Sequence, residues 1–255
     1  NLPHALLQAL TADHNDMDAV LRAFSVAVRD LVRVAAEGNN AIERAHANHR
    51  PTPLLSALVG GCIGAGRDVT AGGATHDTSG LQGVGLADVV DSLVAVHRAV
   101  FDEKWLTWRS LRAALDDDLG DETLRARLRD LPRHGEDDPL ARHYAAAVSE
   151  IFAAEVRGLE NGRGGRYLPG FWTMTTHQGF GRRTGALPSG RRAGEALSNG
   201  VSPSVGSERR GPTAVLCSVS AVTRVGNGYV LNTKLAPDVA SKAGVIPSLV
   251  RGFFA

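Results

Sequence analysis

The chain has 255 residues, 43% apolar and 22% charged, which is long and apolar enough to bury a large core and excludes a disordered polypeptide. A formal net charge of +1 gives no global attraction to nucleic acid or to an anionic membrane. Two cysteines, Cys62 and Cys217, are too few for a disulfide scaffold or a CxxC metal knuckle; they read as small buried hydrophobes and suit a reducing, cytoplasmic location.

From the N-terminus, no basic segment leads into an apolar core, so no secretory leader is expected. Met17, Val20, Leu21, Phe24, Val28 and Leu31 recur at helical spacing behind Asp16, a good cap, and predict a helix with one core face. After Pro51-Thr52-Pro53, the stripe Leu54, Leu55, Leu58, Val59, Cys62 and Ile63 predicts a second buried helical face, ending at Gly64-Ala65-Gly66. The charge-free run 53–66 falls short of the roughly 20 apolar residues a membrane helix needs.

Residues 66–85 carry the composition of a glycine-rich loop. Leu86, Val89, Val90, Leu93, Val96 and Val100 then mark the buried stripe of a clear helix, with Asp88, Asp91 and Arg98 between them. Acid-rich helices are predicted over Thr107 to Arg129 and Asp138 to Leu159, separated by Pro132-Arg133-His134-Gly135, with Asp116-Asp117-Asp118 as a solvated helix end. After Glu160 glycine and arginine replace alanine and acid, and β-type runs appear at Phe171 to His177, Thr213 to Ser220 and Tyr229 to Thr233. The organisation predicted is a mostly helical part over 1–160 and a part of strands and Gly/Arg-rich loops over 161–255.

Several familiar chemistries fail on spacing. The run Gly179 to Gly185 reads GxGxxxG with no apolar helix behind it, which is not a dinucleotide fingerprint, and no Gly-Lys-Ser or Gly-Lys-Thr triplet exists for a phosphate loop. There is no HExxH and no GxSxG, and His46 with His49 reads as a solvated pair, so no metal site is expected. Nine arginines between Arg157 and Arg210 face only Glu160, Glu195 and Glu208, the main feature in favour of nucleic acid. Few aromatics interleave with them, and arginines in glycine loops commonly tie carbonyls and carboxylates together, so no nucleic-acid partner is expected.

Four segments, in order, resemble the C-terminal half of glycyl radical enzymes, the family of pyruvate formate-lyase, glycerol dehydratase and choline trimethylamine-lyase. They are Pro53-Leu54-Leu55-Ser56 with Gly61-Cys62-Ile63, Gly66-Arg67-Asp68 and Gly72-Gly73-Ala74; Gly83-Val84-Gly85-Leu86-Ala87-Asp88 through Asp102-Glu103-Lys104; His134-Gly135-Glu136-Asp137-Asp138; and the block from Gly162 to Pro237. That block holds Arg163-Gly164-Gly165-Arg166-Tyr167, Thr184-Gly185-Ala186-Leu187-Pro188-Ser189-Gly190-Arg191-Arg192-Ala193-Gly194, Gly211-Pro212-Thr213-Ala214 and Leu231-Asn232-Thr233-Lys234-Leu235. Glu136 replaces the Asn of the family's Gly-Asn-Asp-Asp, and Ser189 stands where many members read Thr-Pro-Asp-Gly-Arg; the turn former is kept and a carboxylate is lost.

The resemblance implies an α/β fold, part of a ten-stranded β/α barrel of two half-barrels. It also implies a catalytic cysteine and a radical glycine on loops expected outside this chain, because neither Cys62 nor Cys217 sits in a Gly-Cys-Val-Glu-like segment and no Arg-Val-Xaa-Gly-Tyr-like segment follows Arg251-Gly252-Phe253-Phe254. No catalytic residue and no glycyl radical domain are therefore expected here. The implied activity is that of a radical lyase or dehydratase, formate C-acetyltransferase-like, acting on a small polar molecule through a thiyl radical. No bound cofactor is implied, only a glycyl radical installed by a separate S-adenosylmethionine-dependent iron-sulfur activase. A homodimer is the family habit. The alternative is a catalytically silent barrel piece or a partner-binding subunit. For the substrate pocket, an extended Phe171 to His177 puts Phe171, Thr173, Thr175 and His177 on one face, which lines the barrel in one register and packs on helices in the other. Gly72, Gly73, Gly164, Gly165 and Gly190 read as loop geometry.

Overall fold

The computed structural model describes residues 1–235 and 237–254. Helix α1 (Leu2–Ala9) is capped by the Asn1 side chain, and α2 (Met17–His49) by Asp16, whose Oδ1 accepts the Ala19 amide at 2.7 Å. Val20, Phe24 and Val28 form the buried stripe of α2, as its periodicity predicts. Two short helices follow, α3 (Pro53–Leu58) and α4 (Cys62–Ala65), and then β1 (Thr78–Gln82). Helix α5 (Leu86–Val96) runs on into a wider turn at His97–Asp102; α6 (Trp108–Asp116) and α7 (Glu122–Arg129) lead to α8 (Pro139–Arg157). The chain continues through β2 (Arg166–Gly170), α9 (Thr176–Gly181), α10 (Gly211–Val219), α11 (Pro237–Ala240) and α12 (Val245–Phe254).

The centre is α5, all 11 residues of which are buried between α1 and α8, while α2 packs on α1 and α8. Leu6, Phe24, Leu93, Tyr144, Val148 and Phe152 belong to this core. Each fully buried Leu or Phe side chain contributes about 1.5–3 kcal/mol over an exposed one.

Strands β1 and β2 pair in parallel, Thr78 opposite Arg166 and Gln82 opposite Gly170, so α5 to α8 form the crossover between them. Alternation along β2 turns Tyr167 and Phe171 towards the helices. The Tyr167 hydroxyl donates to Asn40 Oδ1 on α2 at 2.7 Å, and the Phe171 ring lies 5.3 Å from that of Phe152 on α8.

Three expected strands are corrected. Of Phe171 to His177 only Phe171 joins the ladder, bridging Tyr229 in parallel, before the chain turns at Met174 and Thr175 into α9. Thr213 to Val219 lies in α10, with Ser220 as its C-cap, because Pro212 opens the helix and Val215, Ser218 and Val219 fall on one helical face. Tyr229 to Thr233 supplies the single bridge at Tyr229, backed by Val230 N donating to Phe171 O at 3.1 Å. Conversely β1 lies within the expected loop 66–85, its Thr78-Ser79-Gly80 start ordered by a distant partner strand.

The predicted helix over Thr107 to Arg129 is two helices, because Asp118 and Leu119 take φ of 50° and 56° while Leu119 is buried. Asp116 to Asp118 is the expected solvated end. The stripe on α3 and α4 is corrected as well: Leu54, Leu55, Leu58 and Ile63 are exposed, and Ser56 and Cys62 are the residues turned inward. The inward side is organised by Asp68, which accepts from Thr52 N, Ser56 Oγ and Thr70 N and Oγ1. The Thr70 hydroxyl first, then Ser56 and the backbone amides, hold the Asp68 carboxyl down to about 2.

Candidate functional site at the mouth of the parallel strands

In parallel β/α architectures the loops leaving the C-terminal ends of the strands carry the chemistry. Those ends are Gln82 and Gly170, side by side. Trp172 N donates to the Gln82 side-chain oxygen at 3.2 Å, which ties the start of one loop to the end of the neighbouring strand. Beyond it, Thr173 Oγ1 donates to Asn199 Oδ1 at 2.5 Å and lies 3.2 Å from His177 Nδ1. With the Thr173 proton committed to Asn199, His177 donates from Nδ1, which leaves Nε2 as an acceptor. The half-turn from Thr173 to the first turn of α9 is what brings this hydroxyl and imidazole together.

The four residues singled out by strand alternation are therefore separated. Thr173 and His177 meet, both half-buried; Thr175 is exposed, its carbonyl accepting the Gln178 amide; Phe171 is fully buried on the helix side. The register that packs this face on helices is the one Phe171 adopts. A Cβ at Gly83 would lie 2.6 Å from the Phe171 ring, so that glycine is required by the packing. On the face of β2 away from the helices stand Leu168 and Trp172, and past them Met174, 75% exposed; sequence reasoning missed Trp172, Met174, Gln82 and Asn199. Alternation was a usable signal for Trp172 once the helix-facing side was known. Asn199, in a loop distant in sequence, carried none.

A second polar cluster lies in the protein interior, where the sequence showed only a helix polar face. Asp91 accepts from His134 N at 2.8 Å, Ser204 Oγ at 3.0 Å and Arg133 Nη1 at 3.2 Å, with Asp91 and His134 both buried. Burial pushes the Asp91 carboxyl up, opposed by the Arg133 charge and the His134 amide, and burial pushes Asp88 up against a bond from Ser198 N. His134 Nε2 lies 3.0 Å from the Val201 carbonyl and so carries the proton; burial lowers its pKa, and the imidazole is neutral. Glu136, the departure from the family's Asn, accepts from Arg133 N and from Arg209 Nε.

Most of the arginines that favoured nucleic acid tie loops down as predicted. Arg163 reaches Asp77 and Glu43, Arg191 reaches the carbonyls of Gly181 and Gly185, Arg192 reaches Glu122, and Arg210 reaches the Glu136 carbonyl. Gly165 and Gly190 are loop geometry: a Cβ at the first would sit 2.1 Å from the Asp77 carbonyl oxygen, and the second takes φ of 84°. Among the described residues no group of three or more His, Cys, Asp or Glu is placed to hold a metal ion, and no helix is long and apolar enough to cross a membrane.

Parallel strands joined through helices, with those helices on one face and a polar loop cluster at the C-terminal mouth, define a sector of a β/α barrel. The pyruvate formate lyase-like family model matches residues 5–181. Trans-4-hydroxy-L-proline dehydratase of Clostridioides difficile is 33% identical over 243 residues, covering 93% of this chain and 31% of the relative. The glycerol-bound B12-independent glycerol dehydratase from Clostridium butyricum superposes with a TM-score of 0.93 at 33% identity, covering 100% of this chain and 35% of that one. A glycyl radical enzyme from Archaeoglobus fulgidus gives 0.91 at 36% identity, covering 98% and 35%. The chain belongs to the pyruvate formate lyase-like family of glycyl radical enzymes, and it spans about a third of the length of these relatives. The expected fold class, a partial β/α barrel, is borne out.

Proposed function

We propose that the polypeptide to which this chain belongs is a glycyl radical lyase or dehydratase acting on a small hydroxylated molecule, and that this chain forms part of the barrel wall with Thr173 and His177 at the substrate mouth. The observation that carries the reading is the Thr173, His177 and Asn199 cluster on the loop leaving β2. It is supported by relatives whose activities are dehydrations or eliminations: trans-4-hydroxy-L-proline dehydratase, glycerol dehydratase and isethionate sulfite-lyase.

The radical pair, a cysteine and a glycine activated by a radical S-adenosylmethionine enzyme, comes from other loops and supplies hydrogen abstraction. Cys62 on α4 and Cys217 on α10 lie on neither the β1 nor the β2 exit loop. This chain's residues bind and orient. His177 Nε2 accepts a substrate hydroxyl, Thr173 fixes the imidazole, and Trp172 and Met174 offer apolar surface that excludes water from a reactive carbon. A reducing cytoplasm free of oxygen and a homodimer complete the proposal.

The test uses the full-length enzyme with Thr173→Val and His177→Gln. The kcat/KM for a small diol or hydroxy-acid substrate should fall about 10–100-fold, the cost of one or two hydrogen bonds lost in a water-poor site. Glycyl radical yield should stay unchanged. Parent-like kcat/KM in both variants removes Thr173 and His177 from the substrate site.

A further inference from the structure

On the face of the strands turned away from the helices, two positions carry no side chain. Gly80 and Gly170 stand on that face, since Leu81, Tyr167 and Phe171 pack into the core, and the register sets Gln82 directly opposite Gly170. The space over these glycines is taken by two carboxamides that arrive from opposite edges of β2. Gln82 comes from β1, and a Cβ at Gly170 would lie 2.6 Å from its Oε1 and 3.0 Å from its Nε2. Asn227 comes from the far edge, where its backbone N donates to the Pro169 carbonyl at 3.0 Å, and a Cβ at Gly80 would overlap its Nδ2. Bare strand positions are what let both amides lie across the sheet.

The two ends of the Gln82 amide are unequally engaged. Its Oε1 accepts Trp172 N at 3.2 Å, which fixes the carboxamide and leaves the NH2 as the open end. Neither the Gln82 nor the Asn227 NH2 makes a hydrogen bond among the described residues, and both side chains are half-buried, so the donors are held in place yet reachable. Donors that are oriented, close together and open recognise an acceptor. The surroundings suit an anionic one: residues 78–85, 166–178, 197–203 and 225–233, which make the strands and loops of this mouth, contain no Asp or Glu to repel a carboxylate.

We propose that Gln82 and Asn227 are substrate-binding residues that hold the carboxylate of a small hydroxy acid, each donating from its amide nitrogen, while the substrate hydroxyl faces His177. The assignment narrows the proposed function from hydroxylated molecules to hydroxy acids and rests on that reading. Gln82 acts twice, since the Oε1 that accepts Trp172 N also anchors the loop bearing Thr173 and His177.

The test is isothermal titration calorimetry of the full-length protein, without radical activation, with glycerate, lactate and 3-hydroxybutyrate, each against the alcohol in which CH2OH replaces the carboxylate. At least one acid should bind about tenfold or more tighter than its alcohol, the effect of hydrogen bonds to a charged group. Gln82→Glu keeps an acceptor for Trp172 N and puts a negative charge where the NH2 stood; it should remove the acid preference while Tm and alcohol binding stay parent-like. Asn227→Ala leaves the Trp172 tie untouched and should lower the preference as well, which keeps the test decisive if Gln82→Glu lowers Tm. No acid preference in the parent, or a full preference surviving in either variant, overturns the proposal. His177→Gln should weaken acids and alcohols alike. Unchanged affinities there, with the acid preference still lost in Gln82→Glu, remove His177 from the site and leave the carboxylate contact standing.

Discussion

Asp91→Ala should destabilise the protein by about 3–5 kcal/mol, the cost of removing one partner of a buried ion pair. Three donors converge on this carboxylate, from Arg133, the His134 backbone and Ser204, and all would be left facing a void. The damage spreads because Arg133 also holds the Ser189 carbonyl and, through its Nε, the Arg129 carbonyl at the end of α7. One guanidinium thus links α5, α7 and the 189–191 turn. Urea unfolding of parent and variant checks this, and a loss below about 1 kcal/mol would mean that Arg133 finds another counter-charge or water. Asp91→Asn should fall between, since an amide oxygen still accepts from His134 N while its NH2 confronts Arg133.

Phe171→Ala should cost about 3–5 kcal/mol, the range for emptying a packed aromatic site. Its ring is fully buried against Phe152 and over Gly83, at the point where β2 hands the chain to the candidate site. The neighbouring Trp172→Ala removes a larger side chain but one 36% exposed, so its stability cost should be smaller than that of Phe171→Ala. Measured together, the two variants distinguish the helix-facing side of β2 from its other side. An order reversed in urea unfolding would turn the strand over.

Much of the helical part was legible because its signals are local. The α2 stripe and the Asp16 cap lie within a few turns of each other, and the apolar density of α5 marks it as a helix without any partner. What alternation and periodicity cannot carry is the identity of the covering surface. Leu54, Leu58 and Ile63 have the spacing of a core face and stand exposed, while Asp88 and Asp91 look like a polar face and are buried. Their partners, Ser198 and Arg133, come from distant loops, and nothing near Asp91 in sequence announces a guanidinium.

The strand errors have the same origin. Phe171 to His177 and Thr213 to Ser220 have β-type composition, but a short strand persists only where a neighbour supplies a ladder, and only Phe171 has one. Pro212 was the local signal for α10 that outweighs the β-branched residues behind it. Family motifs supplied what local physics did not, the barrel; the loop on which Thr173 and His177 meet reads as a strand in the sequence and is visible only in the structure.

The most direct measurement is electron paramagnetic resonance of the full-length polypeptide after anaerobic incubation with a radical S-adenosylmethionine activase, S-adenosylmethionine and a reductant. A glycyl-type doublet, split by the α-proton and lost on exposure to oxygen, is the predicted result. An unchanged, radical-free spectrum with an activase that generates the doublet in a related dehydratase would contradict it.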